Sequence, residues 1–60
     1  MANLEYVSIQ GQDPSGIWRT FNKVPYNMQL IVKAMRDLQR QYPNYRIRAV
    51  DRDERIVDIL

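Results

Sequence analysis

The sequence contains neither cysteine nor histidine. Without cysteine it can form no disulfide and no thiolate zinc site. Without histidine it lacks the most frequent metal ligand and the usual proton carrier near neutral pH, so its serine and threonine hydroxyls have no imidazole base to activate them. We therefore expect a protein that is not an enzyme, with no catalytic residue, no metal and no cofactor.

Long apolar segments are also missing. No run approaches the ~18 apolar residues needed to cross a bilayer, and the first residues lack the basic start and apolar run of a signal peptide. These features predict a cytoplasmic protein with no membrane partner. At 60 residues we expect one complete domain, residues 1–60, of a size that fits a small phage or bacterial accessory protein.

The charge of the chain is nearly balanced. Nine basic and seven acidic residues give a net charge of +2. The excess lies in residues 28–42, where Lys33, Arg36 and Arg40 accompany Asp37, because the charges before and after this segment cancel. This is a weak basic footprint for a nucleic-acid-binding protein.

A β-hairpin is predicted near the N-terminus. Residues 4–10 alternate, with Val7 and Ile9 on one face, and residues 17–24 are rich in β-branched and aromatic side chains. The sequence Asp-Pro-Ser-Gly at 13–16 favours a type I turn between them.

Two registers of this hairpin fit the sequence. If Gln12 pairs with Ile17, three residues of the second strand join the apolar face of the first, namely Trp18, Thr20 and Asn22. If Asp13 pairs with Ile17, then Ile17 and Phe21 join it instead. We predict the second register because it gives the more apolar core.

A helix is predicted for residues 28–42. Pro25 ends the preceding strand, Asn27 is a favourable N-cap and Pro43 ends the helix. Apolar residues form one stripe at helical spacing: Leu30, Ile31, Ala34, Met35, Leu38 and Tyr42.

Residues 45–50 and 56–60 predict a second hairpin. We predict the register that places Arg48 opposite Asp58, because it pairs opposite charges across the strands and pairs the apolar residues with one another: Ile47 with Ile59 and Ala49 with Val57. The alternative register places Ala49 opposite Asp58.

Together these elements predict an α+β fold in the order β-β-α-β-β. The two hairpins form a small antiparallel four-stranded sheet, and the helix packs on one of its faces. One helix covers only one side of such a sheet, so the other face stays open.

Two short motifs have simpler explanations than ligand binding. Gly11 and Gly16 have the glycine spacing of a phosphate-binding loop, but the Lys-Ser/Thr that must follow is absent. Asp51, Asp53 and Glu54 cluster without the further ligands and the glycine of a calcium loop, which favours a charged turn.

The open sheet face is the first candidate binding surface. We expect it to carry a mixture of arginine, aromatic and apolar side chains: Trp18, Arg46, Arg48, Val50 and Ile56. Such a face could stack unpaired bases, or it could be a solvent-exposed face held by the Arg48–Asp58 pair. We favour a protein interface, with another protein or a second copy as partner, since tryptophan and arginine concentrate binding energy there.

The helix supplies the alternative surface. Lys33, Arg36 and Arg40 share one side and could contact an acidic protein surface or, together with the sheet arginines, the backbone of a nucleic acid, as in a small nucleic-acid-binding regulator. The more common role of such a stripe is the solvent side of an amphipathic helix, with Lys33 and Asp37 as an i,i+4 pair. We expect no small-molecule substrate in either case, because a chain this short has little room to enclose a pocket.

Overall fold

The computed structural model of the protein describes residues 5–60. The elements are β1 (Tyr6–Gln12), β2 (Trp18–Pro25), α1 (Met28–Gln41), β3 (Arg46–Val50) and β4 (Ile56–Ile59). They form one antiparallel sheet in the order β2-β1-β3-β4, with α1 packed against β1, β2 and β3. The predicted fold is confirmed, although the predicted start of the first strand at residue 4 lies outside the described residues.

The helix begins where the sequence predicts. Asn27 has extended backbone, and its side-chain oxygen accepts hydrogen bonds from the backbone N–H groups of Gln29 and Leu30, at 2.9 and 3.2 Å. This is the geometry of an N-cap. At the other end Tyr42 is the C-cap, and its N–H donates to the Leu38 carbonyl.

The core lies between α1 and the sheet. Its buried members come from one side of the helix and from alternate positions of β1 and β3: Val7, Ile9, Ile31, Met35, Leu38, Ile47 and Ala49. An aromatic cluster of Phe21, Tyr42 and Tyr45 closes one end, with ring centroids 4.7 to 6.2 Å apart. Gly11 lies beneath it, since a Cβ there would be 3.1 Å from both Phe21 and Tyr45.

The two hairpin turns have the same backbone design. In the first, the Asp13 carbonyl accepts from Gly16 N–H, the Asp13 N–H donates to Ile17, and Gly16 has φ +91°. In the second, Asp51 makes the equivalent bonds with Glu54 and Arg55, and Glu54 has φ 63°. Each is a three-residue loop that ends in a left-handed residue.

The first hairpin begins in the predicted register and then shifts. Asp13 pairs with Ile17 beside the turn, but the pairing changes between Ile9 and Gln10, where β2 contains one extra residue, Phe21. Phe21 lies on the helix side, as predicted, and joins the aromatic cluster there. Ile17, which we expected on the same face, lies outside the strand and is 52% exposed.

The three pairs predicted for the second hairpin are wrong, although its pairing beside the turn follows the predicted register. Arg48 lies opposite Ile59, and Ala49 lies opposite Asp58. Val50 pairs with Ile56 next to the turn, and a bulge then leaves Val57 without a partner and shifts all later pairs by one residue. Val57 packs against the core. The predicted register also placed Val57 on the core face, so what the bulge changes is the position of Asp58, now on the helix side, and of Ile59, now on the open side. The Arg48–Asp58 ion pair that is lost would be exposed and would contribute at most about 1 kcal/mol.

Within residues 5–60, no helix combines the length and the apolar character that a membrane span requires.

Candidate functional site

The open face is the side of the sheet opposite α1. Residues paired across antiparallel strands point to the same side, so the strand register defines its members. They are Tyr6, Ser8, Gln10 and Gln12 of β1, Trp18, Thr20 and Lys23 of β2, Arg46, Arg48 and Val50 of β3, and Ile56 and Ile59 of β4.

These side chains lie in three rows that cross the sheet. The first row is Trp18–Gln12–Arg46, the second is Thr20–Gln10–Arg48–Ile59, and the third is Lys23–Ser8–Val50–Ile56. The first two rows are polar and aromatic toward β2 and β1. Apolar residues dominate toward β4.

Arg48 is held in place at the centre of the open face. Its guanidinium carbon lies 3.9 Å from the centroid of the Trp18 ring, and its Nε donates a 2.8 Å hydrogen bond to Gln10 Oε1. Gln10 Nε2 in turn donates to Thr20 Oγ1 at 3.0 Å. A cation over an indole ring contributes about 0.5–1 kcal/mol at exposed sites and more when partly buried. This network orders the arginine before any partner binds.

The β4 side of the open face is apolar. Val50 is buried, with 5% of its surface exposed, yet it does not belong to the core cluster beneath the helix. Its neighbours Ile56 and Ile59 are 57% and 54% exposed. Ile56 and Ile59 therefore extend the apolar area around Val50, and contiguous exposed apolar area commonly marks an interaction surface.

The open face carries positive charge only. Its charged members are Lys23, Arg46 and Arg48, and none of the strand positions that form the face is a carboxylate. Asp58 was expected here, but it lies opposite Ala49 on the helix side. The carboxylates of Asp13 and Asp51 accept hydrogen bonds from backbone N–H groups of their own turns.

The pKa of Asp13 is strongly perturbed. A hydrogen bond from the Ser15 hydroxyl, with further bonds from the Ile17 N–H, the Arg19 side chain and the Ser15 N–H, lowers the pKa of this carboxyl to about 2 and outweighs its desolvation. These bonds hold the turn together.

Among residues 5–60, no group of acidic side chains is arranged to hold a metal ion.

The basic side of α1 is partly neutralised by its own aspartate. Asp37 forms two ion pairs: its Oδ2 lies 3.4 Å from Lys33 Nζ, and its Oδ1 lies 3.8 Å from Arg40 Nη1. The predicted Lys33–Asp37 pair is confirmed. In the described part of the chain Arg36 has no ion-pair partner. The depression along this side is lined by residues of α1 alone and therefore lacks the opposing wall of a cleft.

A second group of exposed apolar residues surrounds the start of the helix. Tyr26, Met28 and Leu30 are 49%, 46% and 44% exposed. No ordered polar network accompanies them in residues 5–60, apart from the Asn27 cap. They provide a comparison surface for experiments on the open face.

The open face brings together all five residues predicted from the sequence as partner-binding. Trp18 and Arg48 are in contact, Val50 pairs with Ile56, and Arg46 is exposed beside Gln12. Sequence reasoning missed Gln10 and Ile59. Gln10 could have been found from the alternation of β1, whereas Ile59 reaches this face only through the β4 bulge.

Comparison with known proteins identifies no relative of this chain. No protein-family model matches the chain, and no significant similarity connects it to a curated protein or a solved structure.

Proposed function

We propose that this chain is a non-enzymatic interaction protein that binds another protein through the open face of its sheet. The observation that carries the proposal is the juxtaposition of an ordered Arg48–Trp18 pair with exposed Ile56 and Ile59. Tryptophan, arginine and apolar anchors supply most of the energy of protein interfaces. As part of this proposal the protein works in the cytoplasm.

Because Arg48 is already ordered, binding of a partner costs less side-chain entropy. A free arginine loses rotamer entropy when a partner immobilises it, at about 0.5–1.5 kcal/mol for a side chain of this kind. Here Gln10 and Trp18 already fix the guanidinium. The open face therefore presents a preorganised donor next to an apolar area.

The proposal is tested by capture with matched variants. Tagged wild type is compared with the double variant Arg48→Ala, Ile56→Ser in extracts of the source cell, and Met28→Ser serves as the control on the comparison surface. We expect proteins retained by wild type and by Met28→Ser to be lost by the double variant. If the double variant retains the same proteins and has the same oligomeric state by light scattering, the open face is not the binding surface.

The second candidate is nucleic-acid binding by the outer side of α1. Arg36 favours it, because this arginine is exposed and has no ion pair within residues 5–60. Phosphate contacts release counterions, so the affinity would fall steeply with salt. Titration of labelled single- and double-stranded oligonucleotides at low and high salt tests it. Absence of binding at low salt, or binding that Arg36→Gln leaves unchanged, eliminates this candidate.

A further inference from the structure

We infer that the partner of the open face presents carboxylates beside aliphatic side chains, that is, an acidic and partly apolar segment of another protein. This inference rests on the proposed function and specifies the chemistry of the partner. Its basis is the charge of the open face, where Lys23, Arg46 and Arg48 lie without a carboxylate among them.

The geometry of Arg48 suits a carboxylate. Its Nε is occupied by Gln10, and within the described residues its two terminal nitrogens make no hydrogen bond to the protein. Arginine binds carboxylates through paired N–H donors, and these charge-assisted bonds are about twice as strong as neutral ones. Arg46 lies two residues away on the same strand and is exposed, so an extended acidic segment could engage both.

The apolar side of the open face indicates that the partner also carries aliphatic side chains. Ile56 and Ile59 adjoin the cationic positions, and Arg48 pairs directly with Ile59 across the strands. A segment that contacts the arginines therefore also covers isoleucine. Aliphatic side chains in the partner would bury this area, whereas carboxylates alone would leave it exposed.

A second copy of this chain fits the open face poorly. In a two-fold dimer the same patch meets itself, so face-to-face packing would bring three cations of one copy against three of the other. Like charges opposed across an interface are unfavourable.

Nucleic acid also fits less well than an acidic protein. Binding of unpaired bases depends on stacking against aromatic rings, and the described strand positions of the face supply two, Trp18 and Tyr6. Arg48 already covers one side of the Trp18 ring, which leaves Tyr6 as the more accessible ring. Isoleucine offers no stacking surface, and Ile56 and Ile59 are the most exposed of the large apolar side chains on the face. A protein segment makes use of both the arginines and the isoleucines.

Nuclear magnetic resonance titration of the ¹⁵N-labelled chain tests this inference. The probes are a peptide with the core Glu-Ile-Asp-Leu between Gly-Ser flanks, the matched peptide with the core Gln-Ile-Asn-Leu, and an oligothymidylate. We expect the acidic peptide to shift the amides of β1, β3 and β4 and to bind about tenfold more tightly than the amide peptide, since charge-assisted bonds replace neutral ones.

Two exposed arginines provide the matched variants. Arg46→Gln removes a charge from the open face, and Arg36→Gln removes the same charge from the outer side of α1. We expect Arg46→Gln to weaken binding of the acidic peptide several-fold and Arg36→Gln to leave it unchanged. An equal effect of the two variants would indicate attraction to net charge only and would overturn the inference.

The remaining outcomes separate the inference from the proposed function. Equal affinity for the two peptides, tighter binding of oligothymidylate to the same residues, or a dimer in which the open face is buried would each overturn the acidic partner. If neither peptide binds while capture still depends on Arg48 and Ile56, the inference fails and the protein-binding function stands. Loss of that dependence in the capture experiment removes both.

Discussion

Arg48 lies over the ring of Trp18, 3.9 Å from its centroid, although their strands are separated in the sheet by β1. The arginine crosses above Gln10, which accepts a hydrogen bond from its Nε. The contact therefore connects three strands on a face that the helix does not cover.

Loss of this contact should lower stability and change the surroundings of the tryptophan. We expect Arg48→Gln to reduce the free energy of unfolding by about 1–2 kcal/mol, because a cation–π contact and a hydrogen bond to a charged group are both removed. Urea denaturation followed by the fluorescence of Trp18 measures both effects. Arg46→Gln is the control and should change stability by no more than about 0.5 kcal/mol. Equal losses in the two variants would show that the stacked geometry contributes nothing.

The lowered pKa of Asp13 predicts acid sensitivity of the first turn. Its pKa falls from 3.8 to about 2 in the folded protein, so the stabilising effect is complete above pH ~4 and is lost as the pH falls through 2. Asp13→Asn should therefore be less stable than wild type at pH 5, and the difference should shrink between pH 4 and pH 2. Denaturant titrations across this range measure it. A stability difference between Asp13→Asn and wild type that stays constant across this range would contradict the prediction.

The shared turn design predicts opposite effects for two reciprocal substitutions. Glu54 has φ 63°, a left-handed conformation that costs an L-residue roughly 1 kcal/mol, while Gly16 occupies the same place in the first turn at φ +91°. Glu54→Gly should raise the free energy of unfolding by about 0.5–1 kcal/mol, and Gly16→Ala should lower it by a similar amount. Chemical denaturation of both variants checks the signs. Effects of the same sign would mean that the two turns differ in solution.

Gly11 should not tolerate a side chain. A Cβ at this position would be 3.1 Å from Phe21 and Tyr45, so the branched side chain of Gly11→Val must displace the aromatic cluster. We expect a loss of about 1–3 kcal/mol, the usual range for an overfilled core. Ser8→Val, on the open face of the same strand, should stay within about 0.5 kcal/mol of wild type. A Gly11→Val protein as stable as wild type would show that the aromatic rings move freely.

Local signals predicted the elements of this fold, and long-range packing determined the registers. The Asp13 turn, the Asn27 cap and the end of the helix before Pro43 depend on neighbouring residues, so they could be derived from the sequence. The bulges at Phe21 and Val57 could not, because an extra residue is accommodated only where the core across the sheet accepts its side chain.

The same distinction applies to the candidate site. Arg46, Arg48 and Val50 alternate along one strand without interruption, so their shared face followed from the sequence. Asp58 and Ile59 lie beyond the β4 bulge. Asp58 was predicted on the open face and lies on the helix side, whereas Ile59 was predicted on the helix side and lies on the open face. This single shift replaces an ion pair on the open face with an exposed isoleucine, and it leaves that face without a carboxylate.

The strand order has a consequence for how the chain is completed during synthesis. β1 is a central strand, with β2 on one side and β3 on the other, yet β3 begins only at Arg46. A nascent chain that has already formed the first hairpin and the helix still presents one unpaired edge of β1, and unpaired edges promote association with other chains. That edge of β1 is protected only when β3, which follows the helix in the chain, has been made and has paired with it.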